Sequence, residues 1–155
     1  AFYPTQLAKQ EGFDQVLWTD AHDHQYIDES GAMNVMFVLN GKLVTPKLTS
    51  AILDGVTRNS ILTLADDMGM PKEERKVSVA EIKAGFENGS LTEAFGVGTA
   101  AVVSTIAIIN IGGKDYHLPA DSASSFQQRV KKKLHDLRTG AEPDTHQWNF
   151  RVRVK

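Results

Sequence analysis

The sequence predicts a mixed α/β domain, because strand-like and helix-like segments alternate along a chain with no interdomain linker. Short segments rich in β-branched and aromatic residues are bounded by glycine and polar turns, as in strands. Apolar residues recur at helical spacing in residues 57–69 and 124–138. The 155 residues suffice for one hydrophobic core. We therefore expect residues 1–155 to form one mixed sheet with flanking helices.

The first third of the chain is predicted to hold a helix end, two short strands and a hairpin. The segment "PTQLAKQEG" is typical of the second half of a helix that ends at Gly12. "FDQVLWTD" (13–20) and "HQYID" (24–28) are typical of strands. "NVMFVLNGKLVTP" (34–46) joins two apolar runs through Asn40-Gly41, which favours a type I′ turn because both central residues need positive φ.

Two helices are expected next. The first, residues 57–69, buries one face and ends at Gly69. Its periodic apolar residues are Ile61, Leu64, Ala65 and Met68. The second runs toward Gly89 and begins at a capping box, in which the Ser78 hydroxyl and the Glu81 carboxylate would each accept a free backbone N–H.

Residues 91–119 are predicted to be strands, with a glycine-rich break at "GVGT" and a turn at Gly112-Gly113. A last amphipathic helix is expected over residues 124–138, ending at Gly140. Its buried face would consist of Phe126, Val130, Leu134 and Leu137. The alternating tail "RVRVK" (151–155) is typical of an edge strand.

Composition excludes several classes of function. The absence of cysteine rules out disulfides, thiolate metal sites and a cysteine nucleophile. A net charge of -2 gives no bulk attraction to nucleic acid or acidic membranes. The most apolar stretch, residues 97–111, is short for a membrane span and interrupted by polar residues. We expect a cytoplasmic protein without a membrane or nucleic-acid partner.

Two polar clusters have ordinary explanations. The basic run "RVKKK" (129–133) lies on the amphipathic helix near Asp136, which indicates a solvated face in preference to a nucleic-acid site. His22 and His24 lie two residues apart in a polar turn with no third ligand nearby, so we expect no metal site.

Two glycine-containing segments could bind an anion. In "LDGVTR" (53–58), Gly55 precedes a helix start, where backbone N–H groups and the Thr57 hydroxyl could converge on a phosphate. In "GVGTA" (96–100), glycines permit close backbone approach and Thr99 offers a hydroxyl. Each alone is more often a plain loop. Glu29, just before an apolar strand, is by itself more often a surface acid or a hydrogen-bond acceptor for a loop.

The combination of these three features changes the interpretation. A phosphorylated heteroaromatic cofactor needs N–H donors for its phosphate and an acid beside its ring nitrogen, so that the protonated ring acts as an electron sink. The sequence supplies both kinds of group within residues 29–100. An unrelated phosphate-ligand domain is an alternative with the same parts.

The spacing of these residues resembles the signature of the class IV, or fold-type IV, pyridoxal-phosphate aminotransferases. Its positions here are Glu29, Gly31, Asn34, Val35, Leu43, Thr45, Leu53, Gly55, Val56 and Arg58. The segments "DQVLW", "EAFGVGTAAVVS" and "TGAEPDTHQW" resemble branched-chain amino acid aminotransferases more than D-amino acid aminotransferases or aminodeoxychorismate lyases. The resemblance implies the carboxy-terminal domain of the D-amino acid aminotransferase-like fold, with a mixed sheet or pseudo-barrel.

The resemblance also implies roles in binding pyridoxal 5′-phosphate. Glu29 would pair with the pyridine nitrogen, and the backbone at Thr99-Ala100 would receive the substrate α-carboxylate. The implied cofactor-binding residues are Glu29, Asn34, Leu53, Gly55, Val56, Thr57 and Thr99. The intact enzyme would be a homodimer that transaminates leucine, isoleucine and valine with 2-oxoglutarate.

The chain departs from the family pattern in several places. Met36 stands where an aromatic residue is expected, Ala32 replaces a usual threonine, and residues 101–104 lack the Cys-x-x-Cys pair of some members. The Schiff-base lysine is expected upstream of Ala1, together with the smaller amino-terminal domain. We therefore expect a fragment that is inactive alone. The alternative is a non-catalytic aminotransferase-like domain used for association.

Overall fold

A seven-stranded mixed sheet forms the centre of the protein in the computed structural model, which describes residues 2–150 and 152. Its strands are β1 (Leu17–Thr19), β2 (Ile27–Ser30), β3 (Met33–Leu39), β4 (Lys42–Pro46), β5 (Lys72–Arg75), β6 (Leu91–Gly98) and β7 (Val102–Thr105). A separate antiparallel hairpin consists of β8 (Ile108–Ile111) and β9 (Lys114–His117). The helices are α1 (Phe2–Gln10), α2 (Val56–Asp67), α3 (Val79–Asn88) and α4 (Phe126–Thr139).

Strand β3 organises the sheet. It pairs antiparallel with β6 from Asn34↔Val97 to Leu39↔Leu91, with a register shift between Val38 and Leu39. Its other edge is shared, because β2 pairs with its first two residues and β4 pairs with its last three. Among the strand pairs of the described residues, only β4 and β5 run parallel. The mixed α/β sheet predicted from the sequence is therefore present.

The sheet buries an apolar cluster on each face, since alternate side chains of β3 and β6 point to opposite sides. Helices α2 and α4 cover one face, and α3 with the β8–β9 hairpin covers the other. The first cluster includes Met36, Val38, Ile61, Leu64, Phe95, Val97, Phe126, Val130, Leu134 and Leu137. The second includes Ile27, Val35, Phe37, Leu39, Val77, Ile82, Leu91, Ala94 and Ile109. Met36, which departs from the family's aromatic, is fully buried.

Several local predictions are confirmed. Asn40 and Gly41 join β3 to β4 with φ values of 52° and 72°, the positive values that a type I′ turn requires. Helices α2, α3 and α4 occupy the predicted segments, and their C-terminal glycines Gly69, Gly89 and Gly140 have positive φ. Every residue predicted for the buried face of α4 is buried. Of the residues predicted for the buried face of α2, Met68 is the C-cap residue and is only partly buried, while Ile61, Leu64 and Ala65 are buried.

The predicted capping box at α3 is only half formed. The Ser78 hydroxyl accepts the Glu81 N–H at 3.0 Å, as expected of an N-cap residue. The Glu81 carboxylate, however, accepts two hydrogen bonds from the Arg75 guanidinium, at 2.8 and 2.7 Å. Because both Glu81 oxygens pair with the Arg75 guanidinium, Glu81 joins β5 to α3 and does not complete the box.

The predicted glycine-rich break at residues 96–99 is wrong. Strand β6 continues to Gly98, and only Thr99 begins a turn. A Cβ atom at Gly96 would lie 2.8 Å from Met33 Cε, so the glycine makes room for the Met33 side chain from the neighbouring strand. A glycine inside a strand commonly marks such a close approach.

The amino-terminal strands are shorter than predicted. Within the predicted strand 13–20, only the three residues of β1 pair with another strand. The strand expected at 24–28 begins only at Ile27. The turn between them is built on Asp20, whose carboxylate accepts the N–H groups of Asp23, Gln25 and Tyr26, each at 2.8 Å. The edge strand predicted for 151–155 lies outside the described residues except for Val152, which is in no strand.

Helix α4 is capped by a residue from the sheet. Both oxygens of the Glu93 carboxylate, on β6, accept backbone N–H groups at the start of the helix, from Phe126 at 2.7 Å and Gln127 at 2.8 Å. A carboxylate at this end also interacts favourably with the helix dipole.

Among the described helices, none is long and apolar enough to cross a membrane.

Replacing Gly41 by valine should destabilise the protein by about 1–2 kcal/mol, because a β-branched residue is strained at φ 72°. Urea unfolding followed by circular dichroism would measure the change. Asn40→Gly is the matched control in the same turn, and we expect its effect to stay within about 0.5 kcal/mol because glycine tolerates φ 52°. Equal losses for both variants would show that the turn does not set this stability.

The Asp20 turn should make stability depend on acid pH. Backbone hydrogen bonds, first that of Tyr26 and then that of Asp23, lower the pKa of Asp20 below its usual 3.8. A depressed carboxyl pKa stabilises the folded state above the unfolded-state pKa, and this contribution is lost as pH falls toward the folded-state pKa.

We therefore expect Asp20→Asn to lower the melting temperature at pH 7, and to differ less from the parent protein as pH falls below about 3.8. Thermal unfolding of both proteins from pH 7 to pH 2.5 would measure the difference. A difference that stays constant over this range would contradict the electrostatic origin of the stabilisation.

Candidate functional site

The Glu29 carboxylate is held at one oxygen and open at the other. Glu29 lies on β2, is partly buried, and stands directly opposite Asn34 of β3. Its Oε1 accepts the Leu53 N–H at 2.9 Å and a longer contact from Asn34 Nδ2 at 3.4 Å. Within residues 2–150, Oε2 accepts no hydrogen bond. The free oxygen can therefore receive a proton donor from a ligand.

Asn34 joins this carboxylate to the segment before α2. The side chain is only 5% exposed, and its Nδ2 donates to the Leu53 carbonyl at 2.8 Å. Its Oδ1 faces Gly55, where an added Cβ atom would lie only 2.2 Å away. Leu53 thus bonds to Glu29 through its N–H and to Asn34 through its carbonyl.

The N-terminus of α2 follows directly. Gly55 is the N-cap and has no side chain to accept a backbone N–H, and the first turn contains no acidic residue. In the described part of the chain, the N–H groups of Val56 and Thr57 have no acceptor. Unpaired N–H groups at the positive end of a helix dipole form an anion site. The flanking side chains of Leu53 and Val56 are 71% and 84% exposed, which leaves apolar surface beside it.

Two further residues of the signature make hydrogen bonds that hold the elements around the site together. The Arg58 side chain, 2% exposed, donates through Nη2 to the Pro46 carbonyl at 3.0 Å and to Glu74 at 2.7 Å. The Thr45 hydroxyl donates to the Val35 carbonyl at 2.8 Å. The Arg58 bonds attach α2 to β4 and β5, and the Thr45 bond joins β4 to β3. Both residues therefore have a structural role that the sequence did not indicate.

Thr99 and Ala100 lie in the exposed turn that follows β6. Because Val97 pairs with Asn34, this turn projects from the same end of the sheet as the Gly31-Ala32 turn and the Glu29 side chain. The turn closes through a hydrogen bond from Val103 N–H to the Ala101 carbonyl at 2.7 Å, with Val102 at φ 58°. Positive φ is rare for a β-branched residue. Such conformations cluster at ligand-binding segments.

The Gly31-Ala32 turn is fixed from β1. Trp18 Nε1 donates to the Gly31 carbonyl at 2.9 Å, and Gly31 has φ 59°. A Cβ atom at Gly31 would lie 2.1 Å from Gln15 Oε1. The positive φ therefore favours glycine two positions after Glu29, and the exposed Gln15 side chain packs closely against it.

The other polar clusters give no comparable arrangement. In the range 2–150, no three His, Cys, Asp or Glu side chains are grouped as metal ligands would be. In the basic run, Lys132 pairs with Asp136 and Lys133 pairs with Glu142. These pairs use two of its charges within the protein.

The chain matches the family model of amino-transferase class IV over residues 2–109. The match includes Glu29, Asn34 and the start of α2. This chain belongs to the class IV aminotransferase family. The family depends on pyridoxal phosphate. The expectation drawn from the signature residues is thus confirmed at the level of the family.

Curated relatives are branched-chain aminotransferases. A probable branched-chain-amino-acid aminotransferase of Staphylococcus epidermidis is 39% identical over 145 residues, covering 94% of this chain and 40% of the relative. Branched-chain-amino-acid transaminase 1 of Bacillus subtilis is also 39% identical over 145 residues, covering 94% and 41%. The chain therefore spans about 40% of the length of these relatives.

Solved structures confirm the fold. The branched-chain amino acid aminotransferase from Escherichia coli superposes with a TM-score of 0.76 at 26% identity, over 93% of this chain and 45% of that one. The enzyme from Thermobaculum terrenum in its PLP form matches with a TM-score of 0.69 at 25% identity, over 86% and 40%. The mixed α/β class with flanking helices is that of these enzymes.

Contacts unite part of the predicted site. Hydrogen bonds and close packing connect Glu29, Asn34, Leu53 and Gly55, and Val56 and Thr57 follow in the adjoining turn. Thr99 and Ala100 share only the same end of the sheet. The cofactor-binding and substrate-binding assignments of all these residues remain predictions. Gly96, counted in the second anion segment, lies buried within β6 and is not part of a loop.

Gly55→Ala should destabilise the protein by about 1–3 kcal/mol, because the new methyl group would overlap Asn34 Oδ1. The backbone of Gly55, at φ -75° and ψ 130°, is allowed for alanine, so conformational strain does not contribute. Gly98→Ala is the control: its Cβ atom would lie 3.2 Å from the flexible Met33 side chain and should cost less. Equal urea midpoints for the two variants would contradict this explanation.

Proposed function

We propose that this chain is the cofactor-binding, carboxy-terminal portion of a branched-chain amino acid aminotransferase. One observation carries the proposal: a carboxylate with one oxygen fixed and one free is hydrogen-bonded to the segment that ends in an uncapped helix N-terminus. The similarity to branched-chain aminotransferases over 94% of the chain supports this choice among class IV activities.

The residues fit pyridoxal 5′-phosphate. A protonated pyridine nitrogen needs a carboxylate beside it, and Glu29 Oε2 is free to accept a hydrogen bond from its N–H. A phosphate dianion needs several N–H donors, and α2 offers those of Val56 and Thr57 at its positive end. The ring needs apolar contact, and the exposed side chains of Leu53 and Val56 flank the same segment. Donors, acid and apolar surface thus come from two neighbouring segments.

Each residue then has a defined task. When bound, pyridoxal phosphate supplies an electron sink for bonds at the substrate α-carbon. The Glu29 carboxylate keeps a proton at the ring nitrogen by placing a negative charge beside it. Val56, Thr57 and the Thr99 hydroxyl hold the phosphate. The N–H groups of the Thr99-Ala100 turn bind the substrate α-carboxylate and orient its α-carbon.

The remaining parts belong to a longer polypeptide in this proposal. It supplies the Schiff-base lysine before Ala1, which moves the α-proton, and a smaller domain that closes the substrate pocket. The substrates are leucine, isoleucine and valine with 2-oxoglutarate, and the enzyme acts as a cytoplasmic homodimer. The 155-residue chain alone does not transaminate.

Borohydride reduction tests the proposal. The 155-residue chain and a version extended upstream would each be incubated with pyridoxal phosphate and reduced, and modified lysines located by peptide mass spectrometry. We expect one specific adduct upstream of Ala1 and transamination of leucine only in the extended protein. Specific adducts in neither protein would favour an association domain, and transamination by the short chain would refute the fragment hypothesis.

Glu29→Gln in the extended protein should lower kcat roughly a hundredfold while weakening cofactor retention much less, because the ring would lose the charge that holds its proton. Glu87→Gln is the matched control, since Glu87 is exposed on α3, which covers the other face of the sheet. Steady-state kinetics and absorbance of retained cofactor would measure both quantities. Unchanged kcat in Glu29→Gln would remove Glu29 from the mechanism.

A further inference from the structure

The geometry points to Asn34 as a positioning residue, which holds Glu29 and the start of α2 in a fixed relation to each other. The inference rests on the proposed function and deepens it. The family resemblance places Asn34 among residues that bind the cofactor. In the structure, its 5% exposed side chain is directed at the protein, so it acts through its neighbours.

Both hydrogens of the Asn34 amide have acceptors. Nδ2 donates to the Leu53 carbonyl at 2.8 Å and lies 3.4 Å from Glu29 Oε1. This pair of acceptors also fixes the orientation of the amide, because Oδ1 in the same place would face two oxygen atoms. The Asn34 Nδ2 group therefore acts as the donor to Leu53 and Glu29, and Oδ1 points toward Gly55.

Leu53 closes the arrangement. Its N–H donates to the same Glu29 oxygen that Asn34 approaches, at 2.9 Å, while its carbonyl accepts from Asn34. Three groups from β2, β3 and the segment before α2 are thus bonded to one another. Two consequences follow: Oε1 is saturated, so Oε2 is the oxygen left for a ligand, and the acid keeps a constant distance from the helix N-terminus.

Gly55 shows how closely the amide is packed. The Gly55 backbone is extended at φ -75° and ψ 130°, which any residue adopts, so its conformation does not explain the glycine. The overlap at 2.2 Å between an added Cβ and Asn34 Oδ1 does. Gly55 and Asn34 are therefore energetically coupled, and replacing the amide should relieve the restriction at position 55.

The chemistry of the amide is specific. Leucine would fill a similar volume but leave the Leu53 carbonyl without its donor. Aspartate would place a second carboxylate against Glu29 and the Leu53 carbonyl, and like charges at this distance repel. We expect both changes to loosen Glu29 even if the surrounding core stays folded.

A ligand without an aldehyde gives the cleanest probe. Pyridoxamine 5′-phosphate has the ring and phosphate of the proposed cofactor and does not condense with surface lysines. Its affinity for the 155-residue chain would be measured by fluorescence titration, and the protonation of its ring nitrogen by the ¹⁵N chemical shift of ring-labelled ligand. The second readout reports the position of Glu29 and does not follow stability alone.

The variants are Asn34→Leu and Asn34→Asp, with Asn59→Ala as control. Asn59 is the same residue type, is exposed on α2, and bonds to other described residues only through its backbone. We expect about tenfold weaker binding for both Asn34 variants, corresponding to the loss of one charge-linked hydrogen bond. For Asn34→Leu, which adds no charge, we also expect a ring nitrogen less protonated than in the parent complex. The control should match the parent protein in both.

A thermal double-mutant cycle tests the packing independently of ligand. Gly55→Ala should lower the melting temperature by several degrees in the parent protein and by clearly less in the Asn34→Ala background. Additive shifts would overturn the coupling, whether or not any ligand binds.

The outcomes separate the two proposals. If the parent chain binds the probe and Asn34→Leu binds it equally well with the same ring ¹⁵N shift, the role of Asn34 is refuted and the proposed function stands. If the parent chain does not bind the probe, the proposed function fails, and the role of Asn34 toward a cofactor fails with it. Weaker binding with a shifted ring nitrogen, together with a non-additive cycle, supports both.

Discussion

The hydrogen bonding of one main-chain unit, Leu53, determines how the candidate site sits on the fold. Its N–H and carbonyl are both used, by Glu29 and Asn34, which lie 24 and 19 residues away in the chain. The carbonyl bond to Asn34 is partly buried, while the N–H bond to Glu29 lies at the exposed surface. The same two bonds place the helix N-terminus and the carboxylate together.

Strand β3 makes this docking possible. Its second edge is divided between β2 and β4, so the sheet forks beside Asn34. At the fork Pro46 has no N–H to donate, and the Thr45 hydroxyl bonds to the Val35 carbonyl in its place. Buried clusters on both faces hold the fork rigid, since close-packed interiors yield little to local strain. A polar site thus rests on an apolar support that does not itself touch a ligand.

Local features of the fold could be predicted from the sequence, whereas features set by distant contacts could not. Asn40-Gly41 and the helical spacing of α2 and α4 specify structure within a few residues. The sequence wrongly indicates a break in the strand at Gly96. The glycine is there to make room for the Met33 side chain, which lies on another strand. Glu81 does not complete the capping box because both of its carboxylate oxygens accept hydrogen bonds from Arg75 of β5. For the candidate site, residue types were visible in the signature, but the bonds among Glu29, Asn34 and Leu53 arise only in three dimensions.

The cap of helix α4 has a consequence for how this part of the protein can be reused. Glu93 supplies two acceptors to the first turn from a strand more than thirty residues earlier in the chain. The Ser125 side chain, at the N-cap, makes no capping bond to the helix. An α4 peptide excised from the protein or grafted onto another scaffold would lack its start signal. The start of α4 therefore depends on the folded domain and is not encoded within the helix segment alone.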